Sequence, residues 1–283
     1  MNQISEIGVI GSGQMGAGIA QVAAQAGYTT KLWDADTKAL DKGFASIKSQ
    51  LAKQVEKGKL PAEEQQRILG KLSTAGSIGE LKGADLVIEA IIENTEIKLK
   101  LFGELHKILP AHSIIASNTS SISITKLAAG SGRPELFIGM HFMNPVPVMK
   151  LVEVIRGLQT SDETFAAARS VSEKMGKTCV QGIDNAGFIV NRILVPMVNE
   201  AIFLLQEGVK AEDIDNAMKL GTNQPMGPLA LADFVGLDTL LYILRILHSE
   251  LGEDKYRPCP LLIRYVEAGW YGKKSGRGFY SYT

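Results

Sequence analysis

A histidine and a glutamate on either side of a proline-rich turn are the residues of this sequence best suited to chemistry. They are His141 and Glu153, within the stretch GMHFMNPVPVMKLVE at residues 139–153. The Pro-Val-Pro segment predicts an extended turn after a strand that ends at His141. Alternating residues over 150–155 predict a second strand with Glu153 on one face. A carboxylate folded onto one ring nitrogen fixes the tautomer and makes the other a general base, although such a pair is also commonly structural.

A glycine-rich loop follows the first apolar strand of the chain. Residues Glu6–Ile10 are predicted to form that strand, and residues 17–26 a helix. The intervening GSGQMG matches a phosphate-binding fingerprint, whose glycines permit a tight turn, the approach of a pyrophosphate and close packing of helix on strand. The candidate cofactor-binding residues of this loop are Gly11, Ser12, Gly13, Gln14, Met15 and Gly16.

An aspartate at the end of the second strand supports a dinucleotide site. Thr29–Trp33 reads as a strand and Asp34 follows it. A carboxylate about 20 residues beyond the loop accepts hydrogen bonds from an adenosine ribose and repels a 2′-phosphate, which favours NAD over NADP. The simpler alternative is a glycine-rich turn and a surface aspartate, but the order strand, loop, helix and strand favours the dinucleotide.

Further strands, predicted over residues 85–90, 113–117 and 137–140, alternate with helical segments and predict an α/β fold with a doubly wound, Rossmann-type parallel sheet. Ligands bind beyond the carboxyl ends of such strands. The polar residues at those ends are Glu93, Lys98, Asn118, Thr119, Ser120 and Ser121. For the last four we expect both substrate contact and capping of the helix that follows.

A helical, polar region is predicted over residues 35–72. Its lysines read most simply as a solvated face, and the alternative is contact with the phosphates of a large acyl carrier such as coenzyme A.

The second part of the chain reads as helical, which places the domains at 1–185 and 186–283. A buried helix over residues 187–207 is expected to be broken by Pro196. It carries Asn191 and Asn199, one of which is expected to face a polar active site, because a buried asparagine without partners costs about 1–3 kcal/mol. The basic tail GKKSGRGFY predicts either a disordered end or a flap over an anionic ligand.

Composition excludes several classes of protein. The chain has 283 residues, 45% of them hydrophobic, and a net charge of zero, which predicts two domains and no nucleic-acid partner. No apolar run is long enough for a bilayer, and the start lacks the basic region of a signal peptide. Its two cysteines have no metal-ligand spacing, so we expect no metal and a reducing, cytoplasmic setting.

Several motifs occur in a characteristic order over nearly the whole chain. They are VIGSGQMGAGIAQ, ENTEIK, SNTSSISI, HFMNPVPVMKLVEV, GFIVNR, DIDNAMKLG, PMGPLALADFVGLD and KKSGRGFY. With these motifs the sequence resembles the short-chain L-3-hydroxyacyl-CoA dehydrogenases, in particular the bacterial 3-hydroxybutyryl-CoA dehydrogenases. It departs from many relatives at Asn185-Ala186, where a proline is common.

The resemblance implies NAD-dependent oxidation of (S)-3-hydroxybutyryl-CoA to acetoacetyl-CoA, the reverse reduction, and a homodimer or higher oligomer formed through the helical domain. It implies that His141 is the base and Glu153 its charge partner. The residues that the resemblance assigns to substrate or cofactor are Ser120, Asn144 and Asn191 for the substrate, Ser120, Asn144, Asp34, Glu93, Lys98 and Lys274 for the cofactor, and Ser46 and Lys53 for the coenzyme A phosphates.

Two other functions remain open at this stage. One is an NAD(P)-dependent dehydrogenase of another 3-hydroxy acid, which would act without coenzyme A. The other is a non-catalytic dinucleotide-binding protein. This alternative is disfavoured by the presence of His141, Glu153, Ser120 and Asn191 together.

Overall fold

The computed structural model describes residues 4–282, and the chain divides after Asp184 into two compact units. The first unit is built on one sheet of eight strands in the order β3-β2-β1-β4-β5-β6-β7-β8. Its strands are β1 (Glu6–Ile10), β2 (Thr29–Trp33), β3 (Leu72–Thr74), β4 (Leu86–Glu89), β5 (Ile114–Ser117), β6 (Phe137–Phe142), β7 (Leu151–Arg156) and β8 (Thr178–Ile183). All neighbours pair in parallel except β6 and β7. The predicted doubly wound sheet is confirmed.

The strand order reverses at β1, which pairs with β2 on one side and β4 on the other. This reversal opens a crevice beyond the carboxyl ends of the two central strands, where ligands of doubly wound folds bind. The central strands are apolar because helices cover both faces of the sheet, and Val9, Ile88 and Ala116 are fully buried.

The helices of the first unit are α1 (Gln14–Gln25), α2 (Thr37–Glu56), α3 (Ala62–Leu69), α4 (Thr95–Ile108), α5 (Ile124–Gly130) and α6 (Asp162–Lys174). The helical pattern predicted over residues 35–72 corresponds to α2 and α3 and is wrong only at its end. The chain leaves α2 through Gly58, which has a φ of 65°, and α3 starts after Pro61, so the region forms two helices. Leu72 already belongs to β3.

The second unit consists of the helices α7 (Val190–Gln206), α8 (Ala211–Thr222), α9 (Pro228–Val235), α10 (Leu237–Leu251) and α11 (Pro260–Glu267). Ile202, Leu229 and Leu244 lie in its fully buried core. The expected break at Pro196 is wrong, since α7 continues through this residue. Proline removes one backbone donor, and the buried face of α7 keeps the helix intact despite that loss.

The basic tail is ordered, which excludes the disordered alternative for the residues up to 282. The fully buried carboxylate of Asp233 accepts hydrogen bonds from the backbone N–H groups of Phe279 (3.0 Å) and Tyr280 (2.9 Å) and from the Tyr282 hydroxyl (3.1 Å). The tail therefore packs back onto α9. None of the helices within residues 4–282 is both long enough and apolar enough to cross a bilayer.

Candidate active site

The three glycines of the GSGQMG segment, two in the loop between β1 and α1 and one in the first turn of α1, have three different surroundings. Gly11 has a φ of 95°, and a Cβ there would stand 2.5 Å from the carbonyl oxygen of Ala90. A Cβ on Gly16 would overlap the carbonyl of Gly11, so α1 can lie this close to the loop only with glycine. A Cβ on Gly13 would meet no atom within 4 Å. The bare backbone of Gly13 therefore faces open space, which is what an approaching pyrophosphate needs.

Asp34 is held in place by the loop itself. Its Oδ2 accepts hydrogen bonds from the backbone N–H of Ser12 (2.7 Å) and from the Ser12 hydroxyl (2.8 Å). Its Oδ1 accepts from the N–H of Asp36 at 3.0 Å. The carboxylate is thus fixed at the end of β2 before any ligand arrives.

A cavity of about 580 Å³ lies at this end of the sheet. Its walls include Gly11, Gly13, Trp33, Asp34, Ile91, Ile92, Ile97, Lys100, Leu101 and Glu104. The mostly apolar walls and the fixed carboxylate fit the adenosine half of NAD. Lys100 and Glu104 were not among the predicted residues, because the sequence does not show which face of α4 borders the cavity.

A second cavity, of about 530 Å³, borders the same loop. It is lined by Ser12, Gly13, Gln14, Ala17, Ala39, Lys42, Gly43, Ser46 and Gln50. Ser46 therefore borders a cavity. Lys53 is exposed on the same helix and does not line this cavity, whereas Lys42 does. Met15 is packed against the core of the first unit.

The predicted histidine and glutamate form a buried pair. The antiparallel register of β6 and β7 places His141 opposite Glu153, and Nδ1 of the imidazole lies 2.6 Å from Oε2 of the carboxylate. Glu153 is fully buried and His141 is 7% exposed. Neighbouring strands thus hold the two side chains together through their backbones.

Two details of the predicted strand and turn are wrong. β6 does not end at His141 but continues to Phe142. The proline segment forms a tight turn, because the carbonyl of Pro145, which follows a cis peptide bond, accepts from the N–H groups of both Val148 and Met149 at 3.0 Å. Asn144 is exposed at the start of this turn.

Lys177 secures the same turn, a role that was not anticipated. Its ammonium donates hydrogen bonds to the carbonyls of Val146 and, at 2.8 Å, Met149. Burial lowers the pKa of Lys177. The turn also packs against α1, since a Cβ on Gly18 would stand 2.8 Å from Cβ of Val146. The proline turn after the histidine strand is therefore packed against the helix that follows the glycine loop.

The serine loop, residues 118–121, carries Ser120 and is held by Glu93. One carboxylate oxygen of Glu93 accepts from the Thr119 hydroxyl (2.5 Å), the Ser120 N–H (2.9 Å) and the Ser121 hydroxyl (3.0 Å). Asn118 joins the loop to β6, because its Oδ1 accepts from the N–H of Phe142 at 2.9 Å. Ser120 is thereby tied to the strand that carries the histidine.

The prediction that this polar cluster caps the following helix is wrong. α5 begins at Ile124, and its cap is Ser123, whose hydroxyl accepts from the N–H of Lys126 at 3.2 Å. The hydroxyl of Thr119 instead closes a turn by accepting from Ser121 and Ile122.

Lys98 is almost completely buried, at 1% exposure, and its ammonium is paired with two carboxylates. One belongs to Glu89 and the other to Glu93, which lies 3.3 Å away. Burial raises the pKa of Glu89 despite the Lys98 charge. Burial would also raise the pKa of Glu93, but the Lys98 charge and the hydrogen bonds of the serine loop outweigh it and lower that pKa. The structure thus places Lys98 beneath the serine loop. Glu89 was not singled out, although an acidic residue in the apolar strand LVIE was a usable signal.

The second unit contains the remaining candidates. Asn199 is 2% exposed and structural, because it accepts from the N–H of Cys259 and donates to the carbonyl of Arg257. Asn191 is half-buried in the first turn of α7. Lys274 is half-exposed and paired with Asp238 at 2.6 Å.

A doubly wound sheet with a glycine loop after β1 and a fixed aspartate after β2 is typical of the NAD-binding domains of oxidoreductases. Residues 6–185 match the family described as 3-hydroxyacyl-CoA dehydrogenase, NAD binding domain, and residues 187–282 match the 3-hydroxyacyl-CoA dehydrogenase, C-terminal domain. The chain belongs to the 3-hydroxyacyl-CoA dehydrogenase family.

Similar proteins extend over nearly the whole chain. A 3-hydroxybutyryl-CoA dehydrogenase from Bradyrhizobium diazoefficiens is 54% identical over 280 residues, which cover 99% of this chain and 96% of that protein. The human mitochondrial hydroxyacyl-coenzyme A dehydrogenase is 44% identical, with coverage of 99% and 91%. The crystal structure of (S)-3-hydroxybutyryl-CoA dehydrogenase from Ralstonia eutropha has a TM-score of 0.96 and 48% identity, with coverage of 99% and 100%.

Proposed function

We propose that this enzyme interconverts (S)-3-hydroxybutyryl-CoA and acetoacetyl-CoA, with His141 as the proton acceptor and donor and Glu153 as its partner. The observation that carries this proposal is the buried contact of 2.6 Å between Nδ1 of the histidine and the carboxylate. A strong acceptor at Nδ1 keeps the proton there in the neutral ring, so Nε2 is the atom that exchanges a proton with the substrate.

The chemistry requires such a base. Oxidation of a secondary alcohol removes a hydride from carbon while the hydroxyl loses its proton. NAD, when bound, supplies the hydride acceptor. His141 takes the hydroxyl proton in this direction and returns it to the ketone oxygen in the other. In both directions the imidazolium form is stabilised by the negative charge of Glu153.

The other site residues enter the proposal in the roles that the resemblance implies. Ser120 and Asn144 in the first unit and Asn191 in the second hydrogen-bond the substrate, and Asp34 binds the ribose of the cofactor. Glu93, Lys98 and Lys274 contribute to the cofactor site. For the coenzyme A phosphates we propose Ser46 and Lys53, to which the cavity lining adds Lys42.

We also propose that the second unit forms the interface of a homodimer or higher oligomer. Large apolar side chains are exposed on it, including Ile193 (68%), Leu220 (86%) and Phe234 (47%). Burial of these side chains against another chain would remove their apolar surface from water.

Rates of reduction distinguish the proposed substrate from its alternatives. The enzyme should oxidise NADH when given acetoacetyl-CoA, and at least about tenfold more slowly when given free acetoacetate, since the coenzyme A contacts are then lost. NADPH should be a poor donor because Asp34 repels its 2′-phosphate. Equal rates with free acetoacetate would favour a dehydrogenase of another 3-hydroxy acid. No oxidation of NADH with any of these substrates would favour a non-catalytic protein.

A further inference from the structure

Glu89 is a buried acid that the proposed chemistry does not use. It is the last residue of β4, it is fully buried, and the rest of that strand is Leu86, Val87 and Ile88. A carboxylate removed from water is costly unless other groups replace its hydration. A buried carboxylate at this position therefore needs a structural or functional explanation, and the groups that it contacts indicate that explanation.

The partners of Glu89 hold the beginning of the serine loop. β4 and β5 pair so that Glu89 lies opposite Ser117, the last residue of β5, whose hydroxyl donates to Oε2 at 2.6 Å. The other oxygen accepts from the N–H of Ile91 at 2.7 Å and from Lys98. The N–H of Asn118 donates to the backbone carbonyl of Glu89 at 2.8 Å. The loop thus leaves β5 along a path set by Glu89.

Lys98 connects Glu89 to the middle of the serine loop. Its ammonium bridges Glu89 and Glu93, and Glu93 in turn holds the N–H of Ser120. One buried cation therefore links a carboxylate at the start of the loop to a carboxylate at its middle. Networks of this kind restrict a loop to one conformation when all of their members are paired.

We propose that Glu89 is a positioning residue, which sets the location of Ser120 by holding Ser117 directly and Glu93 through Lys98. This inference rests on the proposed function, in which Ser120 contacts the substrate. Glu89 itself touches neither substrate nor cofactor, so its loss should act on turnover only through the loop.

A double-mutant cycle tests this route. Glu89→Gln keeps the shape of the side chain but removes the charge that holds Lys98, and we expect kcat for acetoacetyl-CoA reduction to fall about tenfold. Ser120→Ala should also lower kcat. In the Ser120→Ala background, Glu89→Gln should change kcat by less than about twofold, because the residue that it positions is already gone. The control is Glu96→Gln, an exposed site on the same helix as Lys98, which should leave kcat unchanged.

Hydrogen exchange gives a readout that does not depend on activity. Amides of residues 117–122 should exchange faster in Glu89→Gln than in the wild type or the control. Ser117→Ala, which preserves the buried ion pair, should accelerate the same amides and lower kcat in the same direction, so the test stands if Glu89→Gln folds poorly.

Three outcomes would overturn the inference: an unchanged kcat in Glu89→Gln, equal losses with and without the Ser120 side chain, or an unchanged loop exchange. If the wild type does not reduce acetoacetyl-CoA but the loop exchange still rises in both variants, the proposed function fails while the restraint on the loop stands.

Discussion

Replacing Glu153 by glutamine tests the proposed base most directly. Glutamine has nearly the same shape, so the packing between β6 and β7 should survive while the negative charge beside His141 is lost. The contact is 2.6 Å long, the glutamate is fully buried and the histidine is 7% exposed, so water cannot replace the missing charge. The variant should therefore stabilise the imidazolium form poorly in both directions of the reaction.

The size of the effect follows from this geometry. A hydrogen bond to a charged group contributes about 1.5–3 kcal/mol and a neutral one about 0.5–1.5 kcal/mol, so the exchange costs at least about 1 kcal/mol. Removing one partner of a buried ion pair costs about 3 kcal/mol or more. With about 1.4 kcal/mol for each factor of ten, kcat should fall roughly 5- to 150-fold.

The assay compares turnover with cofactor binding in one preparation. Initial rates of NADH oxidation by acetoacetyl-CoA give kcat, and a fluorescence titration gives the Kd of NADH. The Kd should change little, because the cofactor contacts proposed for the glycine loop and Asp34 do not involve Glu153. The matched control is Glu163→Gln, an exposed glutamate on α6, which should behave as the wild type.

Wild-type turnover in Glu153→Gln would refute the pair as the source of basicity. A parallel loss of NADH binding would show instead that the substitution disturbs the fold of the first unit.

The glycine loop and the tail give two further predictions. Gly13→Ala should weaken NADH binding about tenfold or more without lowering Tm, because its Cβ meets no protein atom. Gly16→Ala should lower both NADH affinity and Tm, because its Cβ overlaps the carbonyl of Gly11. NADH titration and thermal unfolding distinguish the two variants, and equal losses of Tm would contradict the reasoning. In the tail, burial and the charge of Asp233 raise the pKa of Tyr282 to about 12. The fold favours the protonated phenol, so its contribution is complete below the unfolded pKa of about 10 and is lost as pH rises through 12. Between these pH values, the Tm of Tyr282→Phe should therefore fall less than the Tm of the wild type. Identical dependence of Tm on alkaline pH in the two proteins would exclude this role.

Much of the fold could be predicted from local sequence, because the strands and loops that characterise a doubly wound sheet are short segments. β1, β2 and the glycine loop were predicted at their observed positions. The errors fell where tertiary packing outweighs local preference. Pro196 did not break α7, since burial of one face sustains the helix, and the proline turn closed through the carbonyl of Pro145.

The candidate site shows the same division. A histidine and a glutamate on neighbouring strands can be paired from their spacing, because the side-chain repeat of a strand is fixed. The surroundings of Lys98 could not be predicted, since they depend on how α4 returns over the sheet. The same holds for Lys42, which borders the second cavity in place of Lys53.

By itself, the sequence determined the glycine loop, the aspartate that follows β2, and the histidine proposed to exchange the proton together with its glutamate partner. Each of these lies within one short segment or on two adjacent ones. Only the tertiary structure decided that Glu89 and Glu93 share Lys98, that Ser12 holds Asp34, and that Lys177 secures the proline turn. Such contacts depend on the order and register of strands that are far apart in the chain, and no local pattern of residues encodes them.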